Sequence, residues 1–249
     1  MFDPQELTQV QTGVALSALP TDQLATVQRG LAWLAYPISL VDGLYGPNTR
    51  SAFSEFQNAI EDPDPSVVSD TSIAQLIAGA RETGRIIAQS VDTEDKTKAV
   101  IAELCRHMGL TLDAQVAYVW ATTLWETAHT FKPVREGLDN SDEWRRQHLA
   151  TYYPYYGRGY VQLTWQRNYD KYGRILKIDL VENPDLALNA DVSLFVLVHG
   201  FATGGFTGRS LAQYVNEGQT DFKNARRCIN GLDRWPEIKE IAEGYLAAM

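Results

Sequence analysis

Apolar residues recur three and four positions apart along most of this chain, and clean alternation appears over only one short stretch, Tyr160 to Thr164. A period of 3.6 buries one face of a helix and a period of two buries one face of a strand. The chain is therefore expected to be mainly α, with very little sheet. Asp3-Pro4 has the chemistry of a helix start, Asp as N-cap and Pro at the first helical position. Leu24, Val27, Leu31 and Leu34 mark a helix after Thr21, and Ala52, Phe53, Phe56 and Ile60 mark another. Val41 to Pro47 between them, with two glycines and a proline, is a turn. After the loop Glu61-Asp62-Pro63-Asp64-Pro65, Ser69 or Asp70 can cap a helix carrying Ile73, Leu76 and Ile77. Residues 81–95 are polar and carry no strong period. A domain boundary is expected there, giving domains 1–85 and 86–249.

The second domain reads as a larger helical body with a small strand-and-loop lobe near residues 157–165. A helix over 94–108 can end at Gly109. Another, from Asp113 through Glu126, is expected to bury Val116, Trp120 and Leu124. Asn183-Pro184 is a loop, and further helices are expected near 190–203, 209–215, 221–229 and 236–248.

Composition excludes several classes. The chain has 249 residues, 45% hydrophobic and 21% charged, which is ordinary for a globular protein. No apolar run approaches the ~18 residues of a membrane span. Net charge is −9, and residues 1–90 hold ten acidic and only four basic residues. No basic stripe offers a nucleic-acid footprint. Cys105 and Cys228 are too few for a disulfide framework and lack metal-ligand spacing, so two buried reduced thiols are expected. His129 follows Glu126 by three residues, but His107, His148 and His199 add no matching spacing, and no metal or other cofactor is expected. The N-terminus lacks the basic and apolar regions of a secretory signal, so the protein is expected either to work in the cytosol or to be released by something else. A monomer is expected.

The stretch from Trp125 to Asn168 carries the chemistry. Glu126 follows Trp125 at an apolar helix end, where desolvation is expected to favour the protonated carboxyl. Glu136 follows Arg135 in a polar loop, where the neighbouring cation is expected to favour the carboxylate. Such an unequal pair suits a general acid and a general base. On spacing alone, Asp139, Asp142 and Glu143 remain alternatives to Glu136. The tyrosines at 152, 153, 155, 156 and 160 can serve as a sugar-stacking platform or as packing.

Several separated segments together resemble the family-19 glycoside hydrolases, the plant-type chitinases and the compact phage and bacterial endolysins. They are Trp125 to Thr130, Pro133 to Glu136, Tyr156 to Thr164, Asn168-Tyr169, Asn183 to Leu186, and Ala225 to Gly231. The resemblance implies a lysozyme-like α+β fold with Glu126 as general acid, Glu136 as general base and Thr164 holding the attacking water. It places Gln162, Asn168 and Asn230, with Tyr156 and Tyr160, among the residues that bind N-acetylated sugars. It also implies inversion, with carboxyls ~6.5–9.5 Å apart. The chain departs from the plant pattern at Arg167, where a tyrosine is usual. The arginine that pairs with the acid has no evident counterpart beyond Arg234 and Lys239. Arg226-Arg227 reads as a helix-surface and buried ion-pair position, not a nucleic-acid patch.

Leu24-x-x-Val27-Gln28, then Val41-Asp42-Gly43-x-Tyr45-Gly46-x-x-Thr49, resembles the three-helix peptidoglycan-binding-like domain over about residues 20–80. Together the two resemblances imply an endolysin that acts on the β-1,4 bonds of peptidoglycan glycan strands. It would be held in the host cytoplasm until a partner such as a holin opens the way to the wall. A chitinase and a non-catalytic wall-binding or virion protein are the alternatives.

Overall fold

The computed structural model describes every residue, Met1–Met249. The chain divides into two compact units, Met1–Arg85 with Gly173–Ile178, and Ile86–Tyr172 with Asp179–Met249.

The first unit opens with a 3-10 helix, Pro4–Gln9, capped by the Asp3 carboxylate, which accepts from the Gln5 N–H at 2.9 Å. Three helices follow: α1 (Thr21–Trp33), α2 (Pro47–Ala59) and α3 (Asp70–Ile87). Strands β1 (Val14–Ala15) and β2 (Val67–Val68) pair antiparallel. Leu24, Val27 and Leu31 of α1 and Ala52, Phe53 and Phe56 of α2 are buried, as their spacing requires. The turn between α1 and α2 is organised by one buried amide. Gln28 Oε1 accepts from the N–H groups of Asp42 and Gly43 at 3.0 and 2.8 Å, and its Nε2 donates to Asp42, Leu44 and Thr49. Part of the motif that resembles a wall-binding domain is thus scaffold. Segment 173–178 completes this unit, with Trp33 Nε1 donating to the Ile175 carbonyl at 2.9 Å and Phe2 N–H to that of Leu176 at 2.7 Å.

Residues 81–87 are not the pattern-free linker expected. They continue α3, because Thr83, Ile86 and Ile87 are buried at helical spacing among the polar residues.

The second unit is built around α5 (Asp113–Glu126) and α8 (Ala190–Thr203), with α4 (Glu94–His107) and α10 (Trp235–Ala247) packed against α5. Tyr118 at the centre of α5 stacks on Phe222 and meets Phe201 of α8 edge-on. Trp120 and Leu124 are only half-buried, a correction to the expected core face; Ala117, Tyr118 and Ala121 take that place. The β lobe is β3 (Val134–Arg135) paired antiparallel with β4 (Arg158–Gly159), followed by a single bridge from Arg158 to Leu163. The alternating run therefore forms a turn beside the strand pair. Helices α6 (Asp142–His148) and α7 (Gln166–Leu176) flank the lobe. The expected helix over 209–215 is instead a 3-10 turn at Leu211–Gln213 followed by the hairpin β5 (Val215–Asn216) and β6 (Gln219–Thr220). The span 221–229 divides into α9 (Phe222–Ala225) and a 3-10 turn at Arg226–Cys228. Both cysteines are free and buried.

Candidate active site

A cleft of about 580 Å³ opens in the second unit, and Glu126, Glu136, Gln162, Thr164, Asn168 and Asn230 all line it.

Glu126 is the last residue of α5. The helix ends there because Thr127 turns its hydroxyl inward, donating to the Thr123 carbonyl at 2.7 Å and accepting from the Phe131 N–H at 3.1 Å. Ala128, His129 and Phe131 all take left-handed φ, so the chain reverses within a few residues. This tight reversal carries it to β3 and Glu136. The expectation of an apolar setting for Glu126 is corrected: Arg226 Nη1 lies 2.7 Å from its Oε1, and the two side chains are only 3% and 15% exposed. Arg226 also donates from Nε to the Asp233 carbonyl at 2.9 Å. Neither expected candidate pairs with Glu126, for Arg234 meets Glu237 and Lys239 meets Glu243, each on its own helix.

Glu136 extends the β3–β4 ladder, its N–H donating to the Gly157 carbonyl at 2.8 Å. Its carboxylate is held by two donors, the Tyr152 hydroxyl at 2.7 Å and the Gly157 N–H at 2.9 Å. Gly157 must lack a side chain, since a Cβ there would stand 2.6 Å from Gln162 Oε1 and 3.2 Å from Glu136 Oε2. Arg135 is not the partner expected. Adjacent residues on a strand point to opposite faces, so Arg135 turns away and pairs with Asp185 at 2.5 Å. Buried Arg158 joins the same carboxylate at 2.8 Å. Partial burial works against the charge on Asp185, but these two arginines prevail and hold its carboxyl below the usual range. Behind the loop, Arg145 donates to the backbone carbonyls of Glu136 and Gly137 and fixes the base from below.

The opposite wall comes from the turn before α7. Gln162 and Trp165 adopt left-handed φ of 56° and 74°, strain of the kind that collects at functional sites. Thr164 Oγ1 donates to the Gln162 carbonyl at 2.8 Å, and Asn168 Nδ2 to that of Thr164 at 2.8 Å. Both residues line the cleft. Asn230, exposed, follows the Arg226–Cys228 turn and stands by Thr207, whose hydroxyl donates to Arg227 and Cys228.

Tyr156 and Tyr160 do not join this group. Tyr156 is 4% exposed, its ring covered by the Arg158 guanidinium at 3.7 Å, and Tyr160 is fully buried. Both are buried on the core side of the lobe, Tyr156 with its π face against Arg158. The tyrosine that reaches the cleft is Tyr152, which single-sequence reading does not separate from its neighbours. His129 is exposed and meets the edge of Trp125.

The family model described as "Chitinase class I", glycoside hydrolase family 19, matches residues 77–247. The chain belongs to glycoside hydrolase family 19. Among curated proteins, the basic endochitinase B of Arabidopsis thaliana is 35% identical over 92 residues, 37% of this chain and 28% of that one. Endochitinase CH25 of Brassica napus is 34% identical over 92 residues, 37% of this chain and 29% of its own. The inactive chitinase-like protein 1 of Hevea brasiliensis is 49% identical over 41 residues, 16% and 13% of the two chains. The chain thus spans less than a third of the length of these relatives.

Proposed function

We propose that the protein hydrolyses β-1,4 glycosidic bonds in the glycan strand of peptidoglycan, with inversion at the anomeric carbon, and thereby lyses bacterial cells. The observation that carries this reading is the placing of Glu126 and Glu136 in one cleft with different partners. As general acid, Glu126 takes up a proton in the reacting complex and gives it to the leaving glycosidic oxygen as the bond to the anomeric carbon breaks. Arg226 then offsets the charge left on Glu126. Glu136, aligned by Tyr152 and Gly157, takes a proton from the water that attacks the opposite face of the sugar. Thr164 orients that water, and Gln162, Asn168 and Asn230 bind the N-acetylated sugars. One proton enters and one leaves, so exchange with solvent restores both carboxyls.

The first unit is assigned to wall binding, with a helical spacer as the alternative. In this reading the protein waits in the host cytoplasm until a holin-like partner opens the membrane. The names of the relatives favour a second substrate, chitin, and one relative named as inactive keeps a wall-binding or virion role in view. The intact Glu126, Glu136 and Thr164 count against that last role.

The test is glycan digestion. Wild type is expected to clear outer-membrane-permeabilised cells and to release reducing ends from purified peptidoglycan faster than from chitin oligomers. Glu126→Gln and Glu136→Gln should each lose at least a hundredfold in kcat, within the range of general acid–base catalysis. Proton NMR of fresh product should give the α anomer. Full clearing by Glu126→Gln would refute the assignment.

A further inference from the structure

Three charged side chains line the cleft: Glu126, Glu136 and Arg167. Both carboxylates are already provided for, Glu126 by Arg226 and Glu136 by Tyr152 and Gly157. Arg167 is not. It stands exposed in the first turn of α7, with no carboxylate within ion-pairing distance and no hydrogen bond from its guanidinium. Its guanidinium carbon lies 5.9 Å from the ring centre of Trp165, which is 42% exposed. In a chain of net charge −9, an unpartnered arginine at the rim of the substrate cleft is not there to balance neighbouring acids.

The planar fork of a guanidinium matches a carboxylate, with two parallel N–H···O bonds, better than it matches a hydroxyl or an amide dipole. A strand of N-acetylglucosamine alone presents only hydroxyls and amides. A strand containing muramic acid carries a 3-O-lactyl arm that ends in a carboxylate when free, and in the carboxylates of a stem peptide when substituted. We propose that Arg167 binds a carboxylate borne on that arm, making it the residue that selects an anionic glycan over a neutral one. This inference rests on the reading of the cleft as a glycan site and specifies its substrate class.

The experiment compares three oligomers of equal length: N-acetylglucosamine only, muramic-containing and peptide-free, and muramic-containing with stem peptides. The ratio of kcat/KM for anionic over neutral oligomer should fall about tenfold in Arg167→Gln, which is about 1.4 kcal/mol, and fall by less in Arg167→Lys, which keeps the charge but loses the fork. A fall with the peptide-free oligomer assigns the lactyl carboxylate, and a fall confined to the peptide-bearing one assigns the stem. The same affinity ratios, read by calorimetry in the Glu136→Gln background, decide the matter without turnover. A ratio unmoved by Arg167→Gln in both measurements overturns the inference. Failure of wild type to cut any oligomer would refute the proposed hydrolysis, while the affinity ratio still judges Arg167.

Discussion

Arg226 and Glu126 are both largely withdrawn from water, and their charges offset each other only while both are present. Removing one partner of a buried pair leaves an uncompensated charge, at a cost of about 3–5 kcal/mol. Arg226→Ala is accordingly expected to lose that much stability in urea titration as well as activity. The double variant Glu126→Gln/Arg226→Met should recover most of the stability and none of the activity; additive losses would mean the pair is not coupled. Tyr152 offers a finer probe. Burial first, then its hydrogen bond to Glu136, pushes its phenol up to about 12, so it stays a donor throughout the working range. Tyr152→Phe should reduce kcat about tenfold, the scale of one hydrogen bond to a charged group. That loss should be constant between pH 5 and pH 9 (roughly the interval in which the phenol keeps its proton), and a pH-dependent loss would assign Tyr152 a titrating role instead.

Helix α8 is buried along almost its whole length, and two of its residues make the element testable. Gly200 lets the Phe206 ring lie against the backbone: a Cβ there would stand 2.0 Å from that ring, and Phe206 lines the cleft. Gly200→Ala is expected to cost about 1–3 kcal/mol by overpacking and to raise KM, because Phe206 must move. His199 is fully buried, and burial first, then the nearby Lys171 charge, lowers its pKa to about 3 from an ordinary 6.5. The unfolded chain therefore binds the extra proton between those values, and stability is lost as pH falls through the interval. The expected slope is about 1.4 kcal/mol per pH unit, full stability returning above pH 6.5, and urea midpoints of wild type and His199→Gln should converge toward pH 4. These elements differ in how far sequence exposes them. α8 is apolar enough to be found by composition. α7 is not: Gln166, Arg167, Asn168, Asp170, Lys171 and Arg174 mask the buried Tyr169, Tyr172 and Leu176, although their spacing of three and four is helical. Arg226 could be suspected from its helical distance to buried Phe222, but its partner lies one hundred residues earlier and only the fold joins them. Glu126 and Glu136 stand in recognisable motifs and line one cleft; Tyr156 and Tyr160, which the resemblance places with the sugar-binding residues, are buried, because a motif does not say which side of a lobe a ring faces.

At the scale of the whole chain, the two units are not two consecutive lengths of sequence. One unit runs from Met1 to Arg85, and Gly173–Ile178, from the middle of the second stretch, belongs with it. The reason is local: Ile175 and Leu176 are fully buried, and their carbonyls accept from Trp33 and Phe2, while Lys177 pairs with Glu6 at 2.6 Å. Deleting residues 1–85 would therefore expose two large aliphatic side chains, each worth about 1.5–3 kcal/mol of burial, on the helix that also carries Arg167 and Asn168. A simple tandem of binder and enzyme predicts a fragment 86–249 that keeps its stability and loses only wall affinity. The chain as folded predicts a fragment with a lower thermal midpoint and increased dye binding to apolar surface. The substitutions Ile175→Gln and Leu176→Gln, on the surface the deletion would uncover, should restore solubility to the fragment while destabilising the full chain. If the fragment melts with the full-length protein and clears soluble glycan at the same rate, segment 173–178 contributes nothing that the second unit needs.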